Sequence, residues 1–120
     1  MKPCEVITYR GKPVVIVDIS NTNPEESIAY FPQAQRIIAG FPEKSALVLT
    51  DATNARYSIE SANALKEFAA RNTPYVKASA TVGVEGMKEI LRKSVEQINI
   101  RTINSFKTRL EAMEWLISQE

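Results

Sequence analysis

At 120 residues the chain has room for one domain, long enough to bury roughly two thirds of its unfolded surface without staples. Its 15 Lys and Arg nearly balance its 14 Asp and Glu, leaving a formal charge of +1 and no basic block in either half, which argues against a nucleic-acid partner. The absence of histidine removes the commonest general base and the most frequent zinc ligand, so a non-enzymatic protein with no metal or cofactor is expected.

In chain order, Glu5–Tyr9 and Val14–Ile19 are β-branched runs joined by Arg10-Gly11-Lys12-Pro13, a glycine-centred connection that predicts an antiparallel hairpin. The second run is apolar at nearly every position and should be covered on both faces, whereas the first alternates and should lie at an edge. Cys4, at the start of that edge, reads as a small buried filler, and a lone thiol fits a reducing compartment, by default the cytoplasm. Val14 to Val17 is the longest apolar run, far below the roughly 20 residues that span a bilayer, and no apolar signal core precedes it, so a soluble protein is expected.

Asn23 is placed to cap a helix that opens with Pro24-Glu25-Glu26 and carries Ile28, Phe31, Ile37, Ile38 and Phe41 on its inner stripe. Pro32 removes an amide donor in its middle and predicts a kink or a break, which would open a crevice beneath the bent helix. The next unit, Ser45 to Arg71, organises the chain. Ala46-Leu47-Val48-Leu49 reads as a buried strand and Thr50–Tyr57 as a polar loop. From Ile59 a helix follows, with Ile59, Ala62, Leu65, Phe68 and Ala69 at helical spacing, Ser58 as its N-cap and Glu60 in its first turn. The loop of such a unit lies at the carboxyl edge of a sheet, where ligands and regulatory groups gather.

After Asn72-Thr73-Pro74, the strand Tyr75–Val82 should place Val76, Ala78, Ala80 and Val82 on one face. Gly83-Val84-Glu85-Gly86 leads to a helix bearing Met87, Ile90, Leu91, Val95 and Ile98, then to a weak strand at Ile100–Ile103. Thr108-Arg109-Leu110-Glu111 is a capping-box pattern before a last helix with Leu110, Met113, Leu116 and Ile117 inward and Trp115 at the margin of the stripe. The sum is an α/β domain spanning residues 1–120, ββαβαβαβα in order, with an N-terminal antiparallel hairpin, a mixed but mostly parallel sheet and four helices.

The catalytic and cofactor motifs are incomplete. Gly83 and Gly86 follow a strand but lack the first glycine of a dinucleotide fingerprint. Asp18 and Asp51 both end strands and could converge on Mg²⁺ in the manner of a response-regulator receiver domain, with Asp51 as phosphoacceptor. That pattern wants a second acidic residue where Asp18-Ile19-Ser20 supplies one, so loop hydrogen bonding and helix capping are the simpler expectation for these carboxylates.

The hairpin Val6–Asp18, the strand Leu47-Val48-Leu49, the loop Asp51-Ala52-Thr53-Asn54-Ala55-Arg56-Tyr57 and the helix from Ser58 resemble the STAS fold of bacterial anti-sigma-factor antagonists. Tyr9–Asp18, Asp51–Tyr57 and Tyr75-Val76-Lys77-Ala78-Ser79-Ala80 look more specifically like its SpoIIAA-like branch of small STAS/CRAL-TRIO-like proteins. The resemblance implies a regulatory domain that works through an unidentified protein partner around residues 51–68. The binding or regulatory residues would be Asp51, Asn54, Arg56, Tyr57, Ser58 and Ser61. In the family's antagonists a serine or threonine at this helix start is phosphorylated within an Asp-Ser-Ser-Gly type motif. Here Ser58-Ile59-Glu60-Ser61-Ala62 stands in its place without the aspartate or the glycine, leaving Ser58 and Ser61 as candidates. The CRAL-TRIO resemblance implies an alternative: a lipid or other apolar small molecule held between helices and sheet, with membrane-surface association, in a crevice of Phe31, Pro32, Phe41, Ala78 and Ala80.

Overall fold

The computed structural model describes residues 4–83 and 104–119. Within them the chain runs β1 (Cys4–Tyr9), β2 (Lys12–Asp18), α1 (Pro24–Ile38), β3 (Ala46–Asp51), α2 (Ile59–Asn72), β4 (Val76–Val82), β5 (Asn104–Phe106) and α3 (Arg109–Ile117). The strands form one sheet in the order β1-β2-β3-β4-β5. The β1–β2 pair is antiparallel and the others are parallel, so the expected α/β architecture with an opening hairpin is present. Three helices lie among the described residues; the further helix expected around Met87–Ile98 and the strand at Ile100–Ile103 fall outside them.

Alternation along β2 and β3 divides the core into two layers. Val15, Val17, Ile19, Ala46 and Val48 meet Phe31, Ala34 and Ile38 of α1 and Ala62, Leu65 and Phe68 of α2. Val14, Ile16, Leu47 and Leu49 point the other way, against Ala112 and Leu116 of α3. Phe31 and Phe68 stack across the α1–α2 seam with ring centroids 4.8 Å apart. On the opposite face Trp115 packs against Phe106 with ring centroids 5.5 Å apart.

Several local expectations change. The hairpin turn is the two residues Arg10-Gly11, with φ of 50° and 82°, and Tyr9 pairs with Lys12. Positive φ at both central residues matches the twist of the flanking strands, so the turn is shorter than the four-residue connection expected. Pro13 is therefore a strand residue, tolerated because the parallel pairing of β2 with β3 begins only at Val15. Pro32 does not break α1, which is helical from Pro24 to Ile38, and the exposed proline faces away from the buried Phe31 and Ala34.

β3 also runs two residues beyond its apolar run, because Thr50 and Asp51 are paired and buried between β2 and β4. In β4 the register shifts between the pairs Ala46–Val76 and Leu47–Ala78. An extra residue there reverses the face of everything after it. Val76 consequently joins the α1–α2 layer, while Ala78, Ala80 and Val82 join the α3 layer, and the four do not share a face. Ile59, at the first position of α2, is 62 % exposed, and Leu110, at the second of α3, is 58 % exposed. Neither is a core residue: at a helix's first turn the inward stripe has scarcely begun.

Candidate functional site

Two similar turns leave the carboxyl edge of the sheet side by side. Asp18-Ile19-Ser20-Asn21 follows β2, Asp51-Ala52-Thr53-Asn54 follows β3, and Asp18 is in register with Asp51. In the first, Asp18 Oδ1 accepts from the Ser20 amide (3.0 Å) and the Ser20 hydroxyl. In the second, Asp51 Oδ1 accepts from the Thr53 amide (3.1 Å) and the Thr53 hydroxyl (2.7 Å). Each turn then places an asparagine in the left-handed region, φ 57° at Asn21 and at Asn54, a conformation that asparagine adopts more readily than most side chains. Backbone bonds tie the two together, from the Ile19 amide to the Asp51 carbonyl (2.9 Å), from Asn21 to Thr53 (2.9 Å) and from Arg56 to Thr22 (2.9 Å).

The remaining oxygens of both carboxylates face a single cation. Arg109 donates from Nε to Asp51 Oδ2 at 2.6 Å, and its Nη2 lies 3.1 Å from Asp18 Oδ2. The strand-end aspartates do converge, as their positions suggested, but the cation between them is the guanidinium of α3. Both Asp51 oxygens are thus engaged by the protein itself. Among the described residues no three or more His, Cys, Asp and Glu side chains form a group that could hold a metal.

The electrostatics follow from burial against pairing. Asp51 is 7 % exposed. Burial alone would raise its pKa, but the hydrogen bonds from Thr53 and Arg109 and the guanidinium charge outweigh this and hold the carboxyl below its ordinary range. Desolvation works against the Arg109 charge in the same way, and the two carboxylates more than compensate, raising its pKa. Elsewhere, burial pushes the Cys4 thiol up to about 11, with Glu5 adding to the shift, so this cysteine is a buried filler without thiolate character.

Arg109 was not singled out in the sequence, yet two signals were there. A cation in the first turn of a helix opposes the macrodipole and calls for carboxylates close by. The repeated Asp-X-Ser/Thr-Asn pattern at two strand ends supplies them.

The other expected site residues do not form one cluster. Asn54 and Arg56, like the neighbouring Thr53, are exposed on the loop, whereas Tyr57 is half-buried against the α1–α2 core. Among the described residues the Tyr57 hydroxyl has no hydrogen-bond partner, and burial raises its pKa. Ser58 and Ser61 form a reciprocal cap. The Ser61 amide donates to Ser58 Oγ (3.0 Å), the Ser58 amide donates to Ser61 Oγ (2.9 Å), and Ser61 Oγ also donates to the Ser58 carbonyl. Ser58 is half-buried, while Ser61 is 1 % exposed.

The five residues expected to line one crevice are also separated. Phe31 and Pro32 border a shallow cleft of about 150 Å³ between α1 and α2, together with Ile28, Ala64 and Phe68. Phe41 packs on the same core outside that cleft, and Ala78 and Ala80 lie across the sheet, against the α3 layer. The β4 bulge is the reason. A second and wider groove of about 560 Å³ runs between the N-termini of α1 and α2, lined by Asn23, Pro24, Glu25, Ile28, Ser58 and Glu60. No helix among the described residues is long and apolar enough to cross a membrane.

Fold and site together define an α/β domain whose sheet edge carries a braced, exposed loop in front of a helix. No protein-family model matches the chain, and no curated protein does.

Proposed function

We propose that this is a non-enzymatic, STAS-like binding domain that regulates through protein contacts made by the 51–58 loop and the first turns of α2. One observation supports this above the others: an exposed apolar side chain on a braced base. Asp51 is buried and fixed by Thr53 and Arg109, while in the segment that follows it Thr53, Asn54 and Arg56 are exposed and Ile59, at the start of α2, is 62 % exposed. A pre-organised loop loses little entropy on docking, and arginine is among the side chains enriched at the energetic centres of protein interfaces.

Phosphorylation of this surface is a subordinate part of the proposal. Ser58 is the better acceptor. Its hydroxyl sits at the helix N-terminus, where free amides and the dipole favour negative charge, with Arg56 two residues away and Glu60 opposing. Ser61 would have to leave a buried cap first.

The test compares affinity purifications, from the native cell, of the wild-type chain and of variants that keep the fold. Arg56→Glu and Ile59→Asp should each lose the partner, whereas Val6→Lys on the outer edge strand should keep it. A partner retained by both loop variants would overturn the proposal.

A further inference from the structure

We infer that Arg109 makes α3 a control element for the 51–58 loop, so that the seating of this helix and the shape of the contact surface are energetically coupled. The regulatory meaning rests on the loop being the contact surface; the coupling does not.

The geometry forms a continuous relay. Arg109 is the first residue of α3, capped by Thr108, whose hydroxyl accepts from the Glu111 amide at 3.2 Å. Its guanidinium spans two strand ends, at 2.6 Å to Asp51 and 3.1 Å to Asp18. Each carboxylate passes the constraint on through its other oxygen, Asp51 to Thr53 and Asp18 to Ser20. Thr53 in turn accepts from the Asn21 amide, and Thr22 accepts from the Arg56 amide, which closes the path between the two turns.

The far end of α3 is anchored independently. Glu114 accepts from the Tyr9 hydroxyl at 2.7 Å and pairs with Arg10 at 2.9 Å, while Lys12 Nζ donates to the Ile117 carbonyl at 2.8 Å. Ala112 and Leu116 are fully buried between these points. The helix therefore holds its place on the sheet through its C-terminal half, and Arg109 is free to act on the loop rather than serve as the sole anchor. The guanidinium is required for this, because a planar fork reaches two carboxylates at once where an ammonium reaches as a point charge. Coupling of this kind is reciprocal: whatever α3 does to the loop, occupation of the loop does to α3.

Amide hydrogen exchange on the free protein tests the inference. Losing a charge-assisted hydrogen bond corresponds to about a ten- to hundredfold change in an opening equilibrium. Arg109→Gln should therefore speed exchange at the Asn21, Thr53 and Arg56 amides by about that factor, with β2 and β3 core amides unchanged. Arg109→Lys should fall between Gln and wild type. In the reverse direction, Thr53→Val should speed exchange at the Ala112 amide, which bonds the Thr108 carbonyl at 3.2 Å. A uniform rise at every amide, or loop amides that do not respond to Arg109→Gln, would overturn it. So would Arg109→Lys behaving as wild type, or an Ala112 amide indifferent to Thr53→Val. No partner enters these measurements, so their failure leaves the contact surface standing, and the failure of partner capture leaves the coupling standing.

Discussion

Asp18 and Asp51 stand in register at the ends of neighbouring parallel strands, each holding its own turn with one carboxylate oxygen and Arg109 with the other. This shared counter-ion helps offset the burial of Asp51 and hold its carboxyl below the ordinary range. It also explains why the loop after β3 leaves the sheet along a fixed path.

Replacing Asp51 by Asn keeps the shape but removes the charge facing Arg109 and weakens the acceptor for Thr53. The expected loss is about 1–3 kcal/mol, read from urea unfolding. Because Asp51 has a folded pKa below its ordinary 3.8, the unfolded chain binds more protons in the acid range. Its contribution is complete above the unfolded value and is lost as pH falls through the folded one. The gap between wild type and Asp51→Asn should therefore narrow as pH drops below about 4 and close in stronger acid. A gap that stays constant would show that the charge is not what stabilises the turn.

Gly83 closes the same edge from β4. It has φ +75°, and a Cβ there would come to 2.5 Å from Thr53 Cα and 2.6 Å from Thr53 N. Gly83→Ala combines left-handed strain with a backbone clash and should cost at least about 2 kcal/mol in thermal unfolding, with Thr53 and Asn54 resonances moving most. Tolerance of alanine would mean that the close approach is not part of the native structure.

The serine pair at the start of α2 separates a phosphate site from a plain cap. Ser58→Asp keeps an acceptor for the Ser61 amide and suits the helix dipole, so stability should stay within about 0.5 kcal/mol of wild type. Ser61→Asp puts a carboxylate where the side chain is 1 % exposed and should cost more than about 2 kcal/mol. If both are equally tolerated, the cap does not discriminate between the two hydroxyls.

Much of this arrangement is legible in the residues. Proline and glycine signals, β-branched runs and caps at Asn23, Ser58 and Thr108 place the strands and helices, because each signal is local. What escapes is set by non-local pairing. The β4 bulge that moves Ala78 and Ala80 to the α3 face exists only in the register between β3 and β4. The continuation of β3 through Thr50 and Asp51 depends on neighbours on both sides. Arg109 and Asp51 are 58 positions apart, so the site's central ion pair appears only once α3 returns to the carboxyl edge.

Tyr57 offers a further check on that loop. Its hydroxyl is buried with no hydrogen-bond partner among the described residues, a costly state, so Tyr57→Phe should be neutral or stabilise the protein by up to about 1 kcal/mol in urea unfolding. A clear loss of stability would mean that the hydroxyl has a partner in solution and that the loop sits differently.

The most direct measurement of the central claim is site-specific photo-crosslinking in the native cell. A photoreactive side chain at Asn54 or Ile59, both exposed at the braced edge, should yield one discrete adduct shared by the two positions. The same group at Val6 or Glu43, exposed elsewhere on the sheet periphery, should not yield it. Absence of an adduct at both loop positions, or the same adduct at all four, would contradict the assignment of the 51–58 loop and the start of α2 as the contact surface.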